Sequence, residues 1–220
     1  MKTTRKITFE EVERRRRDFS AALRDFRKAR GRYHNPAPEL PAAKLEGCEV
    51  LANRFDLLDR LAPGATIAEI GAGRGDFSAE ILARCRPARL HLFDSDASQL
   101  ANPDIRAELA AEEPRVKMHV GDSAANLARL PEGYFDIVYI DGDHDYVAVQ
   151  RDIAAILPRL APGGAMVFHS YTTWSAVSMY HSGVARAVHE FCLANPWKFR
   201  FLALEPMMYY DVMLVPEAAS

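Results

Sequence analysis

Glu69, Gly71, Gly73 and Gly75, followed along the chain by Asp94, Asp122, Asp141 and His169, are the residues whose types and spacing could do chemistry. The run Glu69-Ile70-Gly71-Ala72-Gly73-Arg74-Gly75 closes an apolar stretch and reads as a strand entering a ligand-cradling loop. Glycines at alternate positions let the main chain turn sharply and come within contact distance of a ligand, which a β-carbon would block. A dinucleotide loop needs Gly-x-Gly-x-x-Gly, so that a helix N-terminus can reach a pyrophosphate. Here position 76 is Asp, a poor neighbour for that dianion. A carboxylate at Glu69 suits a cofactor carrying an ammonium group instead. Asp94 stands where a carboxylate could accept both hydroxyl hydrogens of a ribose, with Ser95 beside it and Asp96 as the near alternative.

The elements that must position these residues alternate between strand-like and helical periodicity. Strands are expected at 66–70, 89–93, 116–120, 135–140 and 165–169, with helices at 77–85, 105–111, 124–130 and 147–160 between and around them. Such βα repeats imply a parallel sheet covered on both faces. A helix at 184–194 then leads to two strands, 198–204 and 209–215, close enough for an antiparallel hairpin. A further helix is expected over 48–61, ended by Pro63-Gly64. In open α/β sheets the ligand lies beyond the carboxyl ends of the strands. There the chain places Glu69 and its glycines, Asp94-Ser95-Asp96, Gly121-Asp122-Ser123, Asp141-Gly142-Asp143-His144 and His169-Ser170. One Asp after a strand is ordinarily a helix cap or turn former, but five successive polar strand ends are harder to explain that way.

The string Glu-x-Gly-x-Gly-x-Gly resembles the first motif of class I S-adenosylmethionine-dependent methyltransferases. Residues 134–146, Tyr-Phe-Asp-Ile-Val-Tyr-Ile-Asp-Gly-Asp-His-Asp-Tyr, and the later Leu-Ala-Pro-Gly-Gly-Ala-Met-Val-Phe-His-Ser-Tyr follow in the same order as in that family's small-molecule O-methyltransferase branch. This branch includes macrocin-type sugar methyltransferases and, more distantly, catechol-type enzymes. The likeness spans roughly residues 50–215. It implies a Rossmann-like three-layer α/β sandwich with a seven-stranded, mostly parallel sheet whose last strand is antiparallel. It also implies that S-adenosylmethionine is bound by Glu69, Gly71, Ala72, Gly73, Asp94, Ser95, Asp122, Ser123 and Asp141. Asp122 and Ser123 would border the adenine, Leu92, Phe93 and Ala124 could supply apolar walls, and Glu69 would orient the aminoacyl end.

Methyl transfer is an in-line displacement, so the protein must align the acceptor, take its proton and exclude water. Asp143, His144 and His169 are the candidate bases, and imidazoles ordinarily titrate closest to neutrality. In the resembling branch some members bind magnesium through the aspartate opening the Asp-Gly-Asp motif and through acidic residues after strand five. Here His169-Ser170 replaces that pair, so a divalent ion, if held, would use Asp141 and His169 and would be softer than magnesium. Acceptor choice should come from residues 32–40 and 171–183, the latter with Trp174, Met179, Tyr180 and His181. The expected acceptor is a sugar hydroxyl or phenol of a small metabolite. A nucleic-acid acceptor is disfavoured because strand four lacks the Asn/Asp-Pro-Pro-aromatic clamp for a flipped base. A cofactor-binding module without catalysis is the remaining alternative.

The 220 residues suffice for one domain with an extension: a basic helical arm and Pro-rich linker or lid over 1–45, and a catalytic domain over 46–220. Residues 1–32 hold 12 Lys/Arg against 5 Asp/Glu, which leaves the remainder acidic. Such an arm could touch nucleic acid, an acidic surface or a partner subunit, or be a solvated helix face. Thr8 and Glu11 form a capping box, Ile7 and Val12 a staple, and Val12, Phe19, Leu23 and Phe26 one apolar stripe suited to exchange between subunits of a homo-oligomer. No apolar run is long enough to span a bilayer, and three widely spaced cysteines suggest neither a disulfide framework nor a zinc site. A soluble cytoplasmic protein is expected.

Overall fold

The computed structural model describes residues 7–29, 36–96, 103–112, 114–175 and 180–217. It divides into two compact units, Met1–Pro36 and Ala37–Ser220, so residues 37–45 go with the larger unit. The first unit carries α1, Phe9–Lys28, whose N-cap Thr8 accepts from the Glu11 N–H as the sequence signature requires. Arg14, Arg15 and Arg16 pair with Glu11, Glu13 and Asp18 one turn away, so the helix answers much of its basic charge internally.

The second unit follows the order β1 (Glu49–Leu51), α2 (Arg54–Asp59), β2 (Thr66–Ile70), α3 (Asp76–Cys85), β3 (Arg89–Asp94), α4 (Pro103–Ala111), β4 (Val116–Val120) and α5 (Ser123–Leu127). It continues with β5 (Phe135–Ile140), α6 (Tyr146–Ile156), β6 (Leu160–Phe168), β7 (Trp174–Ser175), β8 (Tyr180–His181), α7 (Val184–Ala194), β9 (Trp197–Ala203) and β10 (Asp211–Pro216). The main sheet has the order β1-β9-β10-β6-β5-β2-β3-β4, in which β10 alone runs antiparallel to its neighbours. Strands β7 and β8 form a separate antiparallel pair.

The seven expected strands are present, and an eighth is added at the edge. The helix expected over 48–61 is instead β1 followed by the shorter α2. Asn53 starts the helix late, because its side chain accepts from the N–H groups of Phe55 and Asp56 and holds its own backbone extended. Ahead of it, Glu49, Val50 and Leu51 pair in parallel with Phe201, Leu202 and Ala203, burying Leu51. Pro162-Gly163-Gly164 form an excursion inside β6, since the register on β5 advances from Phe135–Leu160 to Ile137–Ala165. A β-carbon on Gly164 would meet three backbone oxygens between 2.9 and 3.1 Å away.

Alternation along the strands sends side chains to two cores, one on each face. Ile67, Leu90, Leu92 and Tyr139 pack with Leu57, Leu58, Ile81 and Leu82 of α2 and α3. Ala68, Phe93, Val138 and Phe168 pack with Leu127, Val149, Ile153 and Val188 of α5, α6 and α7. Each fully buried Leu or Phe contributes about 1.5–3 kcal/mol, so the strand ends are held by a stiff platform. His91 belongs to this scaffold. It is buried on β3 against His119 and Tyr134, and burial pushes its imidazole down to about 4. Among the described residues no helix is long and apolar enough to cross a membrane.

Candidate active site

The glycine loop brings three strand ends together. Gly71, at φ +87°, donates to the Phe93 carbonyl at 2.8 Å, and the Asp141 N–H donates to the Ile70 carbonyl at 2.8 Å. A β-carbon on Gly71 would lie 2.1 Å from the Asp141 carbonyl oxygen, so only glycine lets β2 and β5 close up here. Gly73, at φ +51°, has no atom within 4 Å of where its β-carbon would stand, so its open side faces the cleft it helps to line. Its N–H donates to Asp94 Oδ2 at 2.7 Å, while Asp94 Oδ1 accepts from the Asp96 N–H at 2.9 Å. The Asp94 carboxylate is thereby fixed at the end of β3 with acceptor capacity left on both oxygens.

Gly71, Gly73, Asp94, Ser95, Asp122, Ser123 and Asp141 line one cleft of about 540 Å³, within the range of cofactor sites. Glu69 and Ala72 line an adjoining recess of about 370 Å³ with Gly71, Phe77 and Asp141. Glu69 is buried and accepts from Ser78 Oγ at 2.5 Å. Desolvation pushes its carboxyl up to about 8, against the opposing effect of the Ser78 hydrogen bond and with the Asp141 charge adding to the rise. Asp122 caps α5 by accepting from the Ala125 N–H at 2.8 Å, and its other oxygen lies 3.5 Å from Arg151. Ser123 Oγ donates to Asp152 Oδ1 at 3.1 Å. Burial raises the Asp152 pKa, although this carboxylate also lines the cleft.

Beyond Asp141 lies a second cluster. His169 Nε2 is 4.0 Å and His144 Nε2 3.4 Å from Asp141 Oδ1, with the imidazole rings 6.0 Å apart. His144 Nδ1 is 2.7 Å from the Tyr180 hydroxyl, while its Nε2 is buried without a hydrogen bond. His169 Nδ1 is 2.7 Å from Oδ1 of Asp211, a fully buried carboxylate. Asp211 Oδ2 accepts from the Tyr139 hydroxyl and lies 3.4 Å from Arg54 Nε, a contact of charges rather than a hydrogen bond. Arg54 stacks over Phe77 with its guanidinium carbon 3.6 Å from the ring centre, and donates to the Tyr139 hydroxyl at 2.6 Å.

His144 and His169 are thus brought together, but Asp143 is not part of their cluster. It is exposed, lines the cleft and accepts from the Asp145 N–H at 3.0 Å, as a turn former does. Of the acceptor rim, residues 32–35 and Met179 lie outside the described residues. Trp174 and His181 face each other across β7 and β8. Arg54, Tyr139, Asp152 and Asp211 are absent from the sequence-based site. A signal for Asp152 exists, since it shares the apolar face of α6 with Val149, Ile153 and Ile156.

The donor set does not suit a divalent ion at Asp141 and His169. The guanidinium of Arg54 lies 3.6 Å from Asp141 Oδ2 and repels a second cation, while Asp211 engages the far nitrogen of His169. Among the described residues no group of three or more His, Cys, Asp or Glu side chains is arranged to hold a metal.

The parallel sheet with its single antiparallel strand, and a cleft built on Gly71, Gly73 and Asp94 at the strand ends, define the class I S-adenosylmethionine-dependent methyltransferase fold. Residues 68–171 match the family model described as a methyltransferase domain. The solved structure of the pyocyanin biosynthetic protein PhzM superposes with a TM-score of 0.56 at 22% identity, covering 74% of this chain and 54% of that one. An S-adenosylmethionine-dependent methyltransferase from Mesorhizobium loti superposes at 0.53 and 17% identity, covering 74% and 95%. Spermidine synthase 2 of Hyoscyamus niger is 27% identical over 116 residues, 48% of this chain. The chain spans 37% of that relative's length.

Proposed function

We propose that the protein transfers the methyl group of S-adenosylmethionine to a hydroxyl oxygen of a small molecule, a sugar hydroxyl or a phenol. The observation that carries this reading is His169, backed by a buried carboxylate and set beside Asp141, which also lines the cofactor cleft. When bound, S-adenosylmethionine supplies a methyl carbon attached to a positively charged sulfur. The chain's own residues bind, orient and deprotonate. Asp94 accepts the ribose hydroxyls, Asp122 and Ser123 border the adenine, and Glu69 meets the ammonium group. His169 takes the acceptor's proton at Nε2, because its Nδ1 is already engaged by Asp211. His144, tied to Tyr180, orients the acceptor from the other side.

Glu69 gives this reading a pH signature. Its folded pKa of about 8 stands above the ordinary 4.5, so its contribution to stability is complete below pH 4.5 and is lost as pH rises through about 8. A ligand ammonium beside it favours the ionised form. Cofactor binding near pH 7 is therefore expected to release a proton from Glu69 and to tighten by up to about tenfold per pH unit across that window. Calorimetric titration in two buffers of different ionisation enthalpy reads the proton directly. Zero release, or the same release in Glu69→Gln, would count against the assignment.

The acceptor class is tested by offering labelled S-adenosylmethionine with panels of sugars, phenols, polyamines and RNA. Label in an ether-linked methyl group supports the proposal. Label confined to RNA, or to nitrogen of an amine, replaces it, and cofactor binding with no transfer favours a binding module. The likeness to a spermidine synthase is the reason for including amines. Against nucleic acid, α1 answers Arg14, Arg15 and Arg16 with its own carboxylates. The same reading takes the protein to be a cytoplasmic homo-oligomer. Three free cysteines support a reducing compartment, and the exposed apolar Phe9 and Val12 of α1 support self-association.

A further inference from the structure

We propose that Asp211 is the positioning residue of His169: it fixes the tautomer in which Nδ1 carries the proton and Nε2 keeps its lone pair for the acceptor hydroxyl. The role rests on the reading of His169 as the base, but the geometry stands without it. Asp211 opens β10, the one strand of the sheet that runs against its neighbours, so its first residue reaches the rim where the parallel strands end. There it is fully buried, a costly place for a carboxylate unless each oxygen is answered.

Three elements answer it. Oδ1 faces His169 Nδ1 at 2.7 Å from the end of β6, Oδ2 accepts from the Tyr139 hydroxyl on β5, and Arg54 Nε on α2 lies 3.4 Å from the same Oδ2. Burial holds the Tyr139 phenol well above its usual pKa, with the Asp211 charge adding to the rise, so this hydroxyl stays a donor. An ionised carboxylate is acceptor-only. With Tyr139 and Arg54 on Oδ2, the proton between Oδ1 and the imidazole belongs to Nδ1. The other groups facing His169 are Asp141, 4.0 Å from Nε2, and the rings of His144 and Tyr209, each centred 6.0 Å from its own. The free Nε2 therefore points toward the strand end that separates the two clusters.

The step balances in atoms and charge. As the acceptor oxygen bonds to the methyl carbon, the carbon–sulfur bond breaks and its electron pair stays on sulfur, which becomes neutral. The hydroxyl proton passes to His169 Nε2, and the resulting imidazolium is stabilised by Asp211. Asp211 touches neither reactant and acts through the imidazole, as the carboxylate does in other His–Asp pairs.

The tautomer can be read on the full chain without cofactor or acceptor, by nitrogen-15 NMR of labelled imidazoles with His169 assigned through His169→Gln. Wild type is expected to show Nδ1–H and a bare Nε2. In Asp211→Asn the amide can donate to a bare Nδ1, so the Nε2–H form should rise to about half or more. An Nε2–H tautomer in wild type overturns the proposal whether or not the variant folds, and so does an unchanged tautomer in a folded Asp211→Asn. A protein that shows the expected tautomer yet transfers no methyl group would defeat the proposed function and leave this assignment standing.

Discussion

Gly71→Ala is expected to weaken cofactor binding by about 100-fold or more and to lower stability by about 3–5 kcal/mol. The added methyl would stand 2.1 Å from the Asp141 carbonyl oxygen, 2.6 Å from its carbonyl carbon and 2.9 Å from Gly142 Cα. All three are backbone atoms and cannot rotate away. The position also requires φ +87°, which alanine adopts only with strain. Relief requires the ends of β2 and β5 to part, breaking the Asp141-to-Ile70 hydrogen bond and moving Asp141 at the cleft and Glu69 at the recess beside it. Thermal melting should fall by roughly 10 °C. Gly73→Ala is the milder comparison, because its φ of +51° also strains an alanine but nothing lies within 4 Å of its β-carbon, so it should cost less stability than Gly71→Ala. A Gly71→Ala protein that melts and binds like wild type would remove the physical basis assigned to this loop.

His169→Ala carries the second large effect, a fall in methyl transfer of about 10²–10⁴-fold, equivalent to about 3–5 kcal/mol of transition-state stabilisation. Cofactor affinity should stay within about twofold, because His169 lies beyond Asp141 and does not line the cofactor cleft. That separation of turnover from affinity identifies a base. His144→Ala should cost less, since Tyr180 engages its Nδ1 and no carboxylate backs it in the way Asp211 backs His169. Full activity in a variant lacking both imidazoles would show that neither takes the acceptor proton.

The glycine loop, Asp94 and the order of the parallel strands were legible because each depends on local chemistry: a positive φ, a strand that stops, an acid at its tip. The support around the proposed base was less so. Reading only where strands end finds His169 and Asp141 but passes over Asp211, because an antiparallel strand delivers its first residue to the same rim. Arg54 escaped for a different reason. A helix drawn over 48–61 puts it mid-element, whereas the Asn53 cap makes it the first helical residue, from which it reaches Tyr139, Asp141 and Asp211. Asp143 shows the converse. Its place in the Asp-Gly-Asp-His run suggested a base, but the backbone there turns it to cap its own loop.

The central claim, that the strand-end cleft is an S-adenosylmethionine site, is tested most directly by calorimetric titration of wild type and Asp94→Ala with that cofactor, and of wild type with NADH. One molecule of S-adenosylmethionine should bind per chain. Asp94→Ala should lose about 1–3 kcal/mol, the range for a hydrogen bond to a charged group, and NADH should bind more weakly or not at all. Tighter binding of NADH, absence of S-adenosylmethionine binding, or equal affinity in Asp94→Ala would contradict the account.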